Sequence, residues 1–274
     1  MSPIFDDSRD NTRDDPEQHR MPLVEHLLEL RQRLLITAAA FLIAFLGCFY
    51  LAEGVYGFLV RPLAAAMEAR GGSQRMIYTA VTEAFFTYLK VAAFAAFVVT
   101  SPVFATQLWL FIAPGLYRHE KKALLPFLIA TPILFLMGAG LVYMFVMPLA
   151  WHYLLGFQST ATETILPIEL EARVSEYLDV VMALMLAFGI CFELPVALTL
   201  MAKVGLVSAK GLADKRRFAI VGVFVVAAIL TPPDVISQIG LALPLIGLYE
   251  LSILACRWVE KQRAKAEQEA IGGG

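Results

Sequence analysis

The sequence predicts an all-α, polytopic membrane protein of six transmembrane helices, the last two short. Three observations predict it. Six apolar runs lie at about 34–52, 84–112, 124–147, 177–201, 218–230 and 235–256. The 274 residues are 59% hydrophobic, with a mean hydropathy of +0.69. Seventeen of the 22 Lys and Arg residues fall on alternate connections between the runs.

Each element follows in chain order. Residues 1–21 are polar and acidic, with Asp6, Asp7, Asp10, Asp14 and Asp15. They read as a disordered arm without the pattern of a cleavable signal peptide. Residues 22–35 form a short helix before the first span, with Leu23, Leu27, Leu30 and Leu34 as an apolar stripe and Glu29–Arg33 as an i,i+4 pair on another face. The connection at 53–83 contains an amphipathic segment over 55–70, with Val55, Phe58, Leu59, Leu63 and Met67 at helical spacing. It reads as an interfacial helix broken near Pro62. The connection at 148–176 is acidic, and both connections are long enough either to cap the bundle or to stand as solvated loops.

Crossing a hydrocarbon core takes about 20 apolar residues. Runs one to four meet that length. The fifth, about 13 residues or about 20 Å, is a short span between Lys210, Lys215, Arg216 and Arg217 and the turn Thr231-Pro232-Pro233-Asp234. Asp234 is placed to cap the sixth helix. The membrane domain is expected over 22–258, with a tail at 259–274.

The positive-inside rule orients these spans. The crowded side holds Arg9, Arg13, Arg20, Arg31 and Arg33; then Arg118, Lys121 and Lys122; then Lys203, Lys210, Lys215, Arg216 and Arg217; then Arg257, Lys261, Arg263 and Lys265. The opposite side holds Arg61, Arg70, Arg75 and Arg173. Both termini are therefore expected in the cytoplasm, and omitting the fifth run would send the basic tail out.

Composition narrows the chemistry. A net charge of −2 gives no reason to suspect nucleic acid. Cys48, Cys191 and Cys256 sit in apolar runs with neither a disulfide framework nor zinc spacing. His119-Glu120 starts like a zinc-protease motif, but Ala123 stands where the second His belongs. Neither G-x-S-x-G nor a P-loop is present, so no hydrolase, ATP-driven pump, cofactor or metal site is expected.

Charged residues inside the runs draw attention instead. Glu193 stands in the apolar stretch 186–200, where a carboxylate costs about 2.5–3.5 kcal/mol on insertion scales. It either lines a water-filled recess or is carried protonated, or it is hydrogen-bonded across helices. Pro195, two residues on, removes a helical donor and predicts a kink. Lys90 lies too far from Glu193 in depth to pair with it and is expected to snorkel to the outer interface. Glu250, about two turns from the basic end, is expected to reach Arg257 or the interface.

Four segments in order carry a family resemblance: HLLELRQRL at 26–34, FIAPGLYRHE at 111–120, FGICFELP at 188–195 and LTPPDVISQ at 230–238. Together they resemble the TatC family, the largest core subunits of the twin-arginine protein translocase, over about residues 22–258. The resemblance implies a concave six-span bundle in the cytoplasmic membrane that is not an enzyme and needs no cofactor. It would receive signal peptides with consecutive arginines, on cargo exported folded by the proton-motive force. The recognition acids map onto Glu29 and Glu120, with Arg31, Phe111, Tyr117, Arg118 and His119 around them. Carboxylates suit that ligand because guanidinium binds them bidentately. The intramembrane acid maps onto Glu193, with Gln238, Asp234 and Glu250 as further polar contacts. Pro62, Pro114, Pro195, Pro232 and Pro233 are shaping positions. The implied partners are the single-span subunits TatA and TatB, the lipid bilayer and further copies in a larger complex. A proton-coupled transporter of a small solute using Glu193 is the alternative; it accounts for the intramembrane acid but not for the two acids at the basic end.

Overall fold

The computed structural model describes residues 23–69, 75–112, 121–159, 170–230 and 235–272. Helices α1 (Leu23–Tyr50), α2 (Ala52–Glu68), α3 (Glu83–Ile112), α4 (Lys121–Leu141) and α5 (Met147–Leu154) form the first half. Helices α6 (Val174–Cys191), α7 (Leu194–Val204), α8 (Ala209–Asp214), α9 (Arg216–Leu230) and α10 (Val235–Gly272) form the second. An isolated parallel β-bridge joins Ile77 and Arg173.

Five stretches are long and apolar enough to cross a membrane: His26–Tyr50, Glu83–Phe111, Pro126–Phe157, Val174–Lys203 and Gln238–Lys265. The 15-residue α9 is the short fifth run expected from the sequence. Many large apolar side chains point outward, among them Ile43, Phe145 and Ile229. That is the pattern of helices whose surroundings are lipid tails, where contact between helices comes from close packing.

Several boundaries differ from the sequence-based expectation. The helix expected at 22–35 and the first span are one continuous 28-residue helix, since no Gly or Pro interrupts the chain between Leu23 and Gly47. Its polar side turns inward. Leu27 and Leu34 are 63% and 65% exposed, whereas the Glu29 and Arg33 side chains are 23% and 20% exposed. Leu27, Leu30 and Leu34 therefore face away from the bundle and the ion pair faces α3.

Helix α2 is not broken at Pro62. Proline cannot donate to the carbonyl four residues back. That carbonyl, on Phe58, instead accepts the Tyr143 hydroxyl at 2.9 Å, and the next, on Leu59, accepts the Tyr177 hydroxyl at 2.8 Å. Leu59, Leu63 and Met67 are buried against the bundle.

The third span outlasts its run. Helix α4 continues through a π-helical turn, Val142–Val146, into α5 and a 3₁₀ turn at Leu155–Phe157. The last helix keeps its apolar part at 235–256 but continues to Gly272, so most of the expected tail is helical.

The fourth span is interrupted where Pro195 predicts: α6 ends at Cys191 and α7 begins at Leu194. Helices α4 and α6 meet tightly through glycine. A Cβ on Gly138 would lie 2.5 Å from the Phe188 carbonyl oxygen, and one on Gly189 would lie 2.5 Å from the Phe135 ring. Phe188, fully buried, anchors the main core with Leu178, Val181, Val142 and Leu241.

At the end opposite the basic connections, the described parts of the two long connections are joined. Ile77 N–H donates to Ala172 O at 3.0 Å, and Val174 N–H donates to Ile77 O at 3.0 Å. Arg75 pairs with Glu171 at 2.9 Å.

Candidate functional site

At the basic end, α1 crosses the end of α3 and gathers one polar and aromatic cluster. Arg33 Nε donates to Glu29 Oε1 at 3.0 Å, and its second nitrogen bonds the same oxygen. The third guanidinium nitrogen donates to Gln107 Oε1 on α3 at 3.3 Å. The His26 ring stacks on Phe111, with centroids 4.3 Å apart, and its Nδ1 lies 3.9 Å from Glu29 Oε2. Helical spacing puts His26, Glu29 and Arg33 on one face, and α3 supplies Gln107 and Phe111. The cluster is a carboxylate already holding one guanidinium beside an aromatic surface. Arg31 is exposed on the neighbouring face of α1. Glu120, Tyr117, Arg118, His119 and Pro114 lie outside the described residues.

Deeper, Glu193 occupies the break between α6 and α7. Both carboxylate oxygens are buried and find no hydrogen-bond partner among the described residues. The Thr131 side chain and the Phe135 backbone on α4 face it. The Thr131 hydroxyl accepts the Trp109 indole N–H from α3 at 3.1 Å. Glu193, Thr131 and Trp109 thus form a polar spot between apolar helices, and a buried carboxylate without a partner is costly to keep.

The remaining expected contacts separate into pairs. Gln238 donates to Phe224 O at 3.3 Å, tying α10 to α9. Glu250 pairs with Arg216 at 2.7 Å. Arg216 begins α9, which runs beside α10, and so reaches Glu250 where Arg257, two turns along the same helix, was expected to. Asp234, Pro232 and Pro233 lie outside the described residues.

Two charged sites escaped the reading of the sequence. Lys90 does not simply reach for the interface: its Nζ binds both oxygens of Asp179 on α6, at 2.7 and 2.8 Å. The signal was present, because both residues stand fewer than ten positions into helices that start at the same end. Glu83, at the start of α3, is 6% exposed in its side chain and pairs with Arg173 at 3.2 Å. It also accepts the Ser175 hydroxyl at 2.6 Å and the Thr79 N–H at 2.9 Å. The Glu83 carboxylate, through its hydrogen bond, holds the Arg173 guanidinium above its ordinary range.

Comparison with known proteins agrees with this architecture. The family model described as Sec-independent protein translocase protein (TatC) matches residues 25–244. A Magnetococcus marinus protein named Sec-independent protein translocase protein TatC is 51% identical, over 92% of this chain and 89% of its own length. The Escherichia coli K12 protein of the same name is 38% identical, over 90% and 92%. A crystal structure described as the twin arginine translocase receptor TatC superposes with a TM-score of 0.72 at 37% identity, covering 86% of this chain and 99% of that one. With the family model matched over most of its length and relatives 38–51% identical along nearly all of theirs, this chain belongs to the TatC family of Sec-independent protein translocase proteins.

Proposed function

We propose that this protein is the core receptor of a twin-arginine translocation system. It binds the signal peptides of folded proteins and assembles with TatA- and TatB-type single-span subunits for export driven by the proton-motive force. It sits in the cytoplasmic membrane with both termini in the cytoplasm, as the distribution of Lys and Arg supports. Family membership favours this reading over a solute transporter.

The observation that carries it is the Glu29–Arg33 pair at the basic end. An incoming arginine pair replaces guanidinium with guanidinium, so Glu29 keeps a guanidinium partner through the exchange and can offer both oxygens to the incoming one. Phe111 and the stacked His26 offer an apolar bed beside the acid. Glu120, in the connection that follows α3, is the second acid for the second arginine. A partly exposed pair is worth only about 0–1 kcal/mol. The affinity then comes from the added peptide contacts, and Arg33 has little to lose on release.

The test is crosslinking of a twin-arginine signal peptide to the protein in native membranes. Glu29→Ala and Glu120→Ala each remove a charge-assisted bond worth about 1.5–3 kcal/mol, a loss of roughly tenfold or more in capture at unchanged abundance. A leader with lysines in place of its arginines should dock more weakly for the same reason. Equal capture of both leaders would defeat the reading.

A further inference from the structure

The Arg33 guanidinium is held on two sides, by an acid on its own helix and by an amide on the next. Its Nε and one terminal nitrogen both bond Glu29 Oε1, while the other terminal nitrogen donates to Gln107 Oε1 at 3.3 Å. The Glu29 carboxylate is therefore used on one side only. Its second oxygen, Oε2, has His26 Nδ1 at 3.9 Å, beyond hydrogen-bond reach, and lies on the side of the ring that stacks on Phe111. Glu29 and Arg33 stand one turn apart on α1. Gln107 stands on α3, one turn before Phe111 and on the same face of that helix.

A guanidinium that lets go of a carboxylate needs another acceptor where water cannot surround it. The Arg33 and Glu29 side chains are only 20% and 23% exposed. Arginine carries its N–H groups in a planar fork, so one edge can stay bonded while the other turns away. The Gln107 carbonyl oxygen has two lone pairs and takes one N–H from Arg33, which leaves room for a second. A neutral amide also binds a guanidinium more weakly than a carboxylate does. That order of strengths keeps Arg33 on Glu29 until a second guanidinium claims the acid. Gln107 is then the acceptor already in contact.

We infer that Gln107 is a positioning residue for signal-peptide capture, which receives the Arg33 guanidinium when an incoming arginine takes Glu29. The inference rests on the receptor reading given under the proposed function. The leader's guanidinium meets Oε2 first, since that oxygen is the one Arg33 leaves open. Arg33 then turns about its bond to Gln107 and yields Oε1, and Glu29 holds the ligand through both oxygens. Gln107 acts through Arg33 alone. That separates it from His26 and Phe111, which stand beside the acid itself.

The experiment titrates a photo-crosslinkable twin-arginine leader peptide against native membranes holding the full chain and reads the half-saturating concentration. Glu29→Ala runs alongside as the check on the receptor reading itself. Gln107→Met, similar in length but without the acceptor, should weaken capture about threefold, the size of one neutral hydrogen bond. Gln107→Glu, a stronger acceptor for Arg33, should strengthen it by a similar factor. Both effects should vanish in an Arg33→Gln background, where there is no cation to receive; Arg33→Met serves if Arg33→Gln is not recovered in the membrane. Equal effects with and without Arg33 would overturn the inference, because they put Gln107 against the leader or in the support of the fold. Parent-level capture in either Gln107 variant, while Glu29→Ala loses it, would also overturn the inference and leave the receptor reading standing. Parent-level capture in Glu29→Ala would sink both.

Discussion

Glu29 and Glu193 are both acids in an apolar chain, but their surroundings give them different work. Glu29 already holds Arg33 and stands beside an aromatic surface at the basic end. Glu193 has no charged partner among the described residues, only the Thr131 side chain and the Phe135 backbone facing it. A buried carboxylate with no cation beside it is the feature behind the proposed contact with another chain. Glu193→Ala is therefore expected to leave signal-peptide crosslinking near the parent level while lowering export and recovery of the assembled complex. Glu193→Gln should be milder, because an amide keeps the hydrogen-bonding ability. Export at the parent level in Glu193→Ala would end the functional claim for this acid. Glu83 is a third case, satisfied by Arg173, Ser175 and Thr79. Glu83→Ala strands those donors, so a loss of about 1–3 kcal/mol in thermal stability in detergent is expected, with signal-peptide capture intact. The motif context singled out Glu29 and Glu193. Glu83 went unnoticed because its partners Arg173 and Ser175 are about 90 residues away and no spacing rule links them.

At the scale of elements, prolines and glycines decide how the helices meet. Pro62 frees the Phe58 carbonyl inside α2, and Tyr143 from the π-helical turn fills it. A proline read from sequence alone looks like a break, because the compensating hydroxyl lies 85 residues from the carbonyl it fills. Tyr143→Phe should cost about 1 kcal/mol in a thermal-stability assay, and much less in a Pro62→Ala background, where the helix can supply its own donor. Additive effects in that double-mutant cycle would contradict the arrangement. At Pro195 no such rescue restores the helix, and the interruption places Glu193 between α6 and α7. The α4–α6 contact gives a second comparison. Gly138→Ala pushes a methyl into the Phe188 backbone oxygen, whereas Gly189→Ala meets the Phe135 ring. Backbone cannot step aside as a side chain can, so Gly138→Ala should lower thermal stability more. Phe135→Leu should recover part of the loss in Gly189→Ala and none in Gly138→Ala.

For the whole molecule, charge asymmetry and helix count are what the proposed topology rests on. Single cysteines at Arg31 and Lys261 should react with a membrane-impermeant maleimide from the cytoplasmic side, and one at Arg75 from the opposite side. Labelling of 31 and 261 from different sides would remove α9 as a span. The opposite end is held as a unit by the Ile77–Arg173 bridge, the Arg75–Glu171 pair and the Glu83 cluster. The sequence shows these connections only as long and charged. What the sequence by itself determined is the number of apolar segments, the charge asymmetry from which their orientation is proposed, and the segments typical of the family. Each of these is local, read by a bilayer that responds to run length and to where positive charge stops. Only the tertiary structure decided which face of α1 turns inward, which hydroxyl occupies the carbonyl left by Pro62, and which acids are paired. Those outcomes depend on helices far apart in the chain meeting at one depth. In lipid the outward face is as apolar as the inward one, so hydropathy does not mark which side of a helix will find its partners.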